Sequence, residues 1–216
     1  MARPTPTRER IVDTALSLFN RQGYGAVTTA ALAAQCGIAE GNLWYHFKTR
    51  QVLLDAIGDR FAAAIELRLA LRPEHDPVAD YAGLLESVME EFRAFRFLYR
   101  DQQAYGDSAT LIVSNAPRWL EMTFDQVEAY LAALVAAGLL DWPRERLRDL
   151  AINATIILRY GLEHYRELGE PIAEGAGAVR RTLLRHLTLF EHRLNPAAAE
   201  RLHAAIEAIE AEALAA

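Results

Sequence analysis

Residues 40–48, Glu-Gly-Asn-Leu-Trp-Tyr-His-Phe-Lys, concentrate side chains suited to reading a polyanion in this 216-residue chain. The amide of Asn42 both donates and accepts, so it can pair with a base edge. Tyr45 can meet a thymine methyl with its ring or a phosphate with its hydroxyl, and Lys48 offers phosphate an ammonium group. Gly41 lets another backbone come close. Glu40 repels phosphate, yet its carboxylate can accept from cytosine N4. Earlier in the chain, Thr28 and Thr29 add hydroxyls and backbone N–H groups for flanking phosphates.

Bond-making chemistry lacks a comparable set. There is no H-x-x-x-H pair, no glycine-rich phosphate loop and no nucleophile elbow. Glu200-x-x-His203 has the spacing of a di-iron ligand pair, but no second copy accompanies it. His75, His164, His186 and His192 are scattered, and Cys36 is the single cysteine. The expectation is therefore no enzyme, no metal and no cofactor. One cysteine and an N-terminus without an apolar signal core fit a cytoplasmic protein, and no apolar run is long enough to span a membrane.

The elements that must position these residues are helical. Alternating β-branched strands are nearly absent, and glycines and prolines punctuate stretches rich in Ala, Leu, Arg and Glu. Thr7 to Gly23 bound a first helix with the stripe Ile11, Ala15, Leu18 and Phe19. Thr28 or Thr29 caps a short second helix, Cys36-Gly37-Ile38 is a tight turn, and a third helix spans about 39–46. At about 100° per residue, Leu43, Phe47 and Ala39 face inward, while Gly41, Asn42 and Tyr45 face outward. Trp44 lies on the flank, where it either packs against a neighbouring helix or touches DNA. His46 sits at the edge, as a partly buried structural histidine or a phosphate contact. Two short helices joined by a glycine turn form a helix-turn-helix unit, whose second helix fits the major groove. Charge agrees: the first fifty residues carry six basic and three acidic side chains, within a chain of net charge −6.

The run TTAALAAQCGIAEGNLWYHFKTRQVLL, residues 28–54, resembles the helix-turn-helix of the TetR family of bacterial transcriptional regulators. The matching residues are Gly37 in the turn, then Gly41, Leu43, Trp44, Phe47 and Lys48, and the Leu53-Leu54 pair opening the fourth helix. Phe19, Gly23 and Tyr24 extend the likeness to residues 8–55. Two positions depart from the pattern. A capping Ser or Thr is replaced by Ala39, which removes a cap worth roughly 1 kcal/mol, and a frequent Lys is replaced by Glu40. The resemblance implies a regulator, usually a repressor, that binds a double-stranded DNA operator and answers to a small effector. The alternative from another class is a helical small-molecule or protein-binding module without specific DNA binding.

The rest of the chain completes an all-α expectation of about nine or ten helices. Residues 1–50 form the helix-turn-helix DNA-binding domain, and residues 51–216 form the larger ligand-binding and dimerisation domain. A helix over 49–71 joins the two without a flexible linker. Met89, Phe92, Phe95, Tyr99, Tyr105, Trp119, Met122 and Tyr160 are either core or the lining of an apolar effector cavity. Arg96 lies at the edge of that aromatic face, as a surface residue or a partner for a ligand carboxylate. The helix near 144–168 is apolar on two sides. Its second stripe, Ile152, Ile156 and Tyr160, with Leu183, Leu187 and Phe190 of the following helix, suggests a four-helix bundle in a homodimer. A dimer suits the DNA, because two recognition helices on a two-fold axis read a palindrome.

Overall fold

The structure is a computed structural model that describes residues 7–106, 110–173 and 175–209. Among these, the regular elements are helices: α1 (Thr7–Gln22), α2 (Thr29–Gln35), α3 (Glu40–His46), α4 (Arg50–Leu69), α5 (Pro77–Ala94), α6 (Arg96–Arg100), α7 (Gln102–Tyr105), α8 (Thr110–Ala136), α9 (Leu147–Glu167), α10 (Ala178–Leu187) and α11 (Pro196–Ala208). The β-pairing described is one isolated bridge, Leu140 to Leu194. No described helix is long and apolar enough to cross a membrane. No described cluster of His, Cys, Asp or Glu could hold a metal ion. His203 faces Glu191 at 3.1 Å.

The described residues form eleven α-helices, against the expected nine or ten, and the chain breaks at Phe95 between α5 and α6. Asn20 of α1 takes over the backbone there. Its amide donates to the carbonyl of Ala94 at 2.8 Å, and its oxygen accepts from the N–H of Phe97 at 2.9 Å. Pro117 lies inside α8. Its ring removes one i→i−4 bond, and the helix continues past the loss.

The chain divides into two compact units, one of residues 1–66 with 91–117, the other of 67–90 with 118–216. The expected boundary at residue 50 falls inside the first unit. Leu53, Leu54, Ile57 and Phe61 of α4 are buried in that unit's core, so α4 cannot be cut away at its start. The expected α1 stripe of Ile11, Ala15, Leu18 and Phe19 is buried with them. Phe19, Tyr24, Phe97 and Tyr105 form an aromatic cluster, with the Phe19 ring 5.1 Å from both Tyr24 and Phe97.

In the second unit, α9 and α10 approach closely enough that a Cβ on Gly161 would lie 2.2 Å from Cγ2 of Thr182. Tyr81 and His186 are fully buried, with the hydroxyl 2.7 Å from the imidazole Nε2. Burial pulls the His186 pKa down from 6.5 to about 4. The folded state thus prefers the neutral ring. This contribution is complete above pH 6.5 and is lost as pH falls towards 4. Wild type should lose about 2 kcal/mol more stability than His186→Gln between pH 7 and pH 5. Urea titrations of both proteins at the two pH values measure the difference, and equal losses would exclude it.

Candidate nucleic-acid interface

The exposed face of α3 is built from the side chains that anchor it. Leu43 and Phe47 are buried, and Arg8 places its guanidinium 4.8 Å from the Phe47 ring centre. With the anchors fixed, Gly41, Asn42, Tyr45 and Lys48 stand in solvent. Tyr45 is 81% exposed, and its ring meets His46 edge-on at 5.3 Å. His46 is half-buried. Trp44 is 37% exposed and lines a shallow crevice with Phe19, Leu32 and Leu53. Ala39 does not face inward as its wheel position predicts. It is the extended N-cap residue, outside the helix and exposed, and no side chain caps α3.

The two threonines have separate tasks. Thr28 is the N-cap of α2, and its hydroxyl accepts from the N–H of Ala31 at 3.1 Å. Thr29 instead donates its hydroxyl to Oε1 of Glu40 at 2.8 Å, tying the first residue of α2 to the first residue of α3. Gly37 turns the chain between these helices with φ of 65°, a conformation that L side chains rarely adopt. Cys36 is buried in this turn.

Arg50 is the residue that sequence reasoning misplaced. It is one of the six basic residues counted in the first fifty, yet it is half-buried and donates to the carbonyls of Tyr24 and Val27 in the α1–α2 loop. Its guanidinium lies 4.1 Å from the Tyr24 ring centre and 5.2 Å from that of Phe19. Asn20, Arg96, Arg100 and Asp101 were also missed as a group. Asp101 accepts from the N–H of Tyr24 at 2.7 Å, and Arg100 donates to the carbonyl of Phe19 at 2.9 Å. Arg96 donates to the carbonyl of Asn20, which gives its guanidinium a place in the protein rather than on a bare surface. These bonds close the C-terminal end of α1, where carbonyls lack helical partners. No spacing rule joins residues this far apart in sequence.

The remaining sequence-based candidates are dispersed. Phe92, Phe95 and Tyr99 pack in the first unit, with Tyr99 4.9 Å from Phe92 and its hydroxyl donating to Glu91 at 2.6 Å. Tyr105 belongs to the aromatic cluster there and donates to the carbonyl of Leu98. Met89 and Trp119 are buried side chains of the second unit. Met122 lines a hollow of about 290 Å³ with Leu69, Pro73, Gln126 and Tyr130. Tyr160 is 58% exposed, so it stands on the surface of α9 and not in an interior lining. Ile156 beside it is 49% exposed, and Ile152 is intermediate. The inner stripe of α9, Leu147, Leu150, Ala151, Ala154, Leu158, Leu162 and Tyr165, is buried, as its spacing predicts. Leu183, Leu187 and Phe190 are also fully buried in their own unit. They pack inward with the α9 stripe, and this corrects their expected place on a surface shared with a second chain.

Comparison with known proteins gives a consistent picture. Residues 11–57 match bacterial regulatory proteins of the tetR family, and residues 60–202 match the TetR bacterial transcriptional repressor family. The HTH-type transcriptional regulator BetI of Serratia proteamaculans (strain 568) is 28% identical over 169 residues, which cover 68% of this chain and 84% of that protein. The tetracycline repressor protein class D of Escherichia coli is 31% identical over 136 residues, 61% of this chain and 55% of that one. This chain therefore aligns with only about half the length of that repressor. A solved structure of a TetR-family transcriptional regulator from Marinobacter aquaeolei VT8 superposes with a TM-score of 0.76 at 24% identity, covering 95% of this chain and 99% of that one.

Proposed function

This chain belongs to the TetR family of bacterial transcriptional regulators, and from that premise we propose that it is a dimeric repressor that binds a palindromic operator and is released by a small, largely apolar effector. The observation that carries the DNA reading is the division of α3 and the two residues after it into a buried anchor, Leu43 and Phe47, and an exposed face, Asn42, Tyr45 and Lys48. A short helix with a polar, aromatic and cationic outer face suits the major groove. Lys48 contacts phosphate in this reading, and Asn42 and Tyr45 contact bases.

A mobility-shift titration with the DNA upstream of the protein's own gene tests the reading. Tyr45→Ala is expected to weaken specific binding by about 10-fold or more and leave non-specific binding unchanged. Lys48→Ala is expected to weaken binding to all sequences alike and to lower the salt slope by about one. If wild type gives no sequence-dependent shift, the reading fails.

For the dimer, support comes from the outward stripe of α9, where Ile156 and Tyr160 expose apolar surface. Ile156→Glu should halve the mass measured by light scattering and abolish cooperative operator binding. An unchanged mass would remove α9 from the interface. For the effector, the hollow beside Met122 offers apolar walls together with the Tyr130 phenol and the Gln126 amide. An effector acts only by binding the DNA-competent and released states unequally. α4 runs unbroken from Arg50 to Leu69, and it is the element assigned to carry that difference.

A further inference from the structure

The geometry points to Glu40 as a cytosine-reading residue that Thr29 holds in position, an inference that rests on the operator-binding role proposed for α3. Glu40 is the first residue of α3 and is exposed. The N-terminal residues of a recognition helix are the ones that meet base edges. A carboxylate at that place is costly near phosphate, so it needs a donor in the groove. One oxygen, Oε1, already accepts from the Thr29 hydroxyl at 2.8 Å. That bond limits the rotation of a flexible side chain and leaves the other oxygen to accept from DNA.

The four bases differ in what they offer a group that only accepts. Guanine presents two acceptors, N7 and O6, and thymine presents O4 beside its methyl. Both oppose a carboxylate. Adenine offers N6–H, but its N7 acceptor lies next to it. Cytosine offers N4–H with no acceptor on its own major-groove edge. Glu40 therefore selects cytosine at one position of each half-site and discriminates most strongly against guanine and thymine. Thr29 is a positioning residue: it sharpens the choice through Glu40 and touches no base in this role.

The test is selection of bound duplexes from a randomised DNA library, with full-length wild type, Glu40→Gln, Glu40→Ala, Thr29→Val and Thr29→Ser. Wild type is expected to enrich cytosine at one symmetric position by about 5- to 100-fold over guanine. Glu40→Gln should move that preference to adenine, because a glutamine amide pairs with N6 and N7 together. Glu40→Ala should flatten it. Thr29→Val keeps the side-chain shape and lacks the donor, so it should reduce the discrimination several-fold, while Thr29→Ser restores it. A merely structural threonine would change overall affinity and leave the base preference alone. If the wild-type sequence is enriched unchanged by Glu40→Gln, this inference is overturned and the operator-binding role stands. If Thr29→Val retains full discrimination, the positioning role is overturned. If wild type enriches no sequence, both the inference and the role beneath it fall.

Discussion

Arg50→Ala is expected to abolish operator binding by unfolding the loop between α1 and α2, although Arg50 need not touch DNA. Its guanidinium donates to two backbone carbonyls, those of Tyr24 and Val27, and stacks over the rings of Phe19 and Tyr24. Hydrogen bonds from a charged donor are each worth about 1.5–3 kcal/mol, and a partly desolvated cation–π contact adds about 1 kcal/mol. These sum to about 4–7 kcal/mol for a buried group, and because Arg50 is only half-buried the expected loss is about 3–5 kcal/mol, a large fraction of the stability of an ordinary domain. The loop ends at Thr28, the cap of α2, so its disorder would free the helix that positions α3. Denaturant unfolding of the variant and a mobility shift with the operator check this together. Arg50→Lys keeps the charge but not the planar fork that spans two carbonyls, so it should recover only a small part. A variant Arg50→Ala with wild-type stability and affinity would make Arg50 an ordinary surface residue.

Gly161→Val should have an effect of similar size in the second unit. The Cβ alone would lie 2.2 Å from Cγ2, 2.5 Å from Oγ1 and 2.9 Å from Cβ of Thr182. Thr182 cannot swing clear. It is β-branched and fully buried, and its hydroxyl donates to the carbonyl of Ala178 at 2.9 Å. α9 and α10 must then separate, which opens the buried surface where Leu158, Leu162, Leu183 and Leu187 lie. Overpacking of a core typically costs about 1–3 kcal/mol, and with two further methyl groups the cost here should approach 4 kcal/mol. Gly161→Ala should lie below it. Adding Thr182→Ala to Gly161→Ala removes the two shortest contacts and should restore part of the loss. Melting curves of these three variants and of Thr182→Ala alone decide the matter, and additive effects of the alanine pair would show that the two sites do not meet. Because α9 also carries Ile156 and Tyr160 on its opposite face, the same variants should weaken the self-association proposed for that face.

Sequence reasoning reached far in the helix-turn-helix because everything that matters there is local. Helical spacing separated Leu43 and Phe47 from Asn42 and Tyr45, capping rules narrowed the start of α2 to Thr28 or Thr29, and Gly37 marked the turn. It failed at Ala39, where a wheel was extended past the helix end. It also failed at Leu183, Leu187 and Phe190, since a stripe at helical spacing says that a face is apolar and not which neighbour covers it. For α9 the two stripes were correctly separated, because only one of them could be used by the chain's own core. Phe92, Phe95, Tyr99 and Tyr105 are aromatic in any reading, and only coordinates show that they pack in the unit that carries α3.

The sequence by itself determined the all-helical class, the helix-turn-helix and the face that α3 presents, all of which follow from periodicity and glycine positions within a few turns. Tertiary structure alone decided the roles of Arg50, Asn20, Asp101 and Glu40. Each acts on a partner outside its own helix: Arg50 on Tyr24 and Val27, Asn20 on Ala94 and Phe97, Asp101 on Tyr24, Glu40 on Thr29. A polar side chain forms such a bond only where the fold brings a donor and an acceptor within about 3 Å at a suitable angle. No local pattern encodes that meeting, so a basic residue that looked like surface became the clamp of the α1–α2 loop.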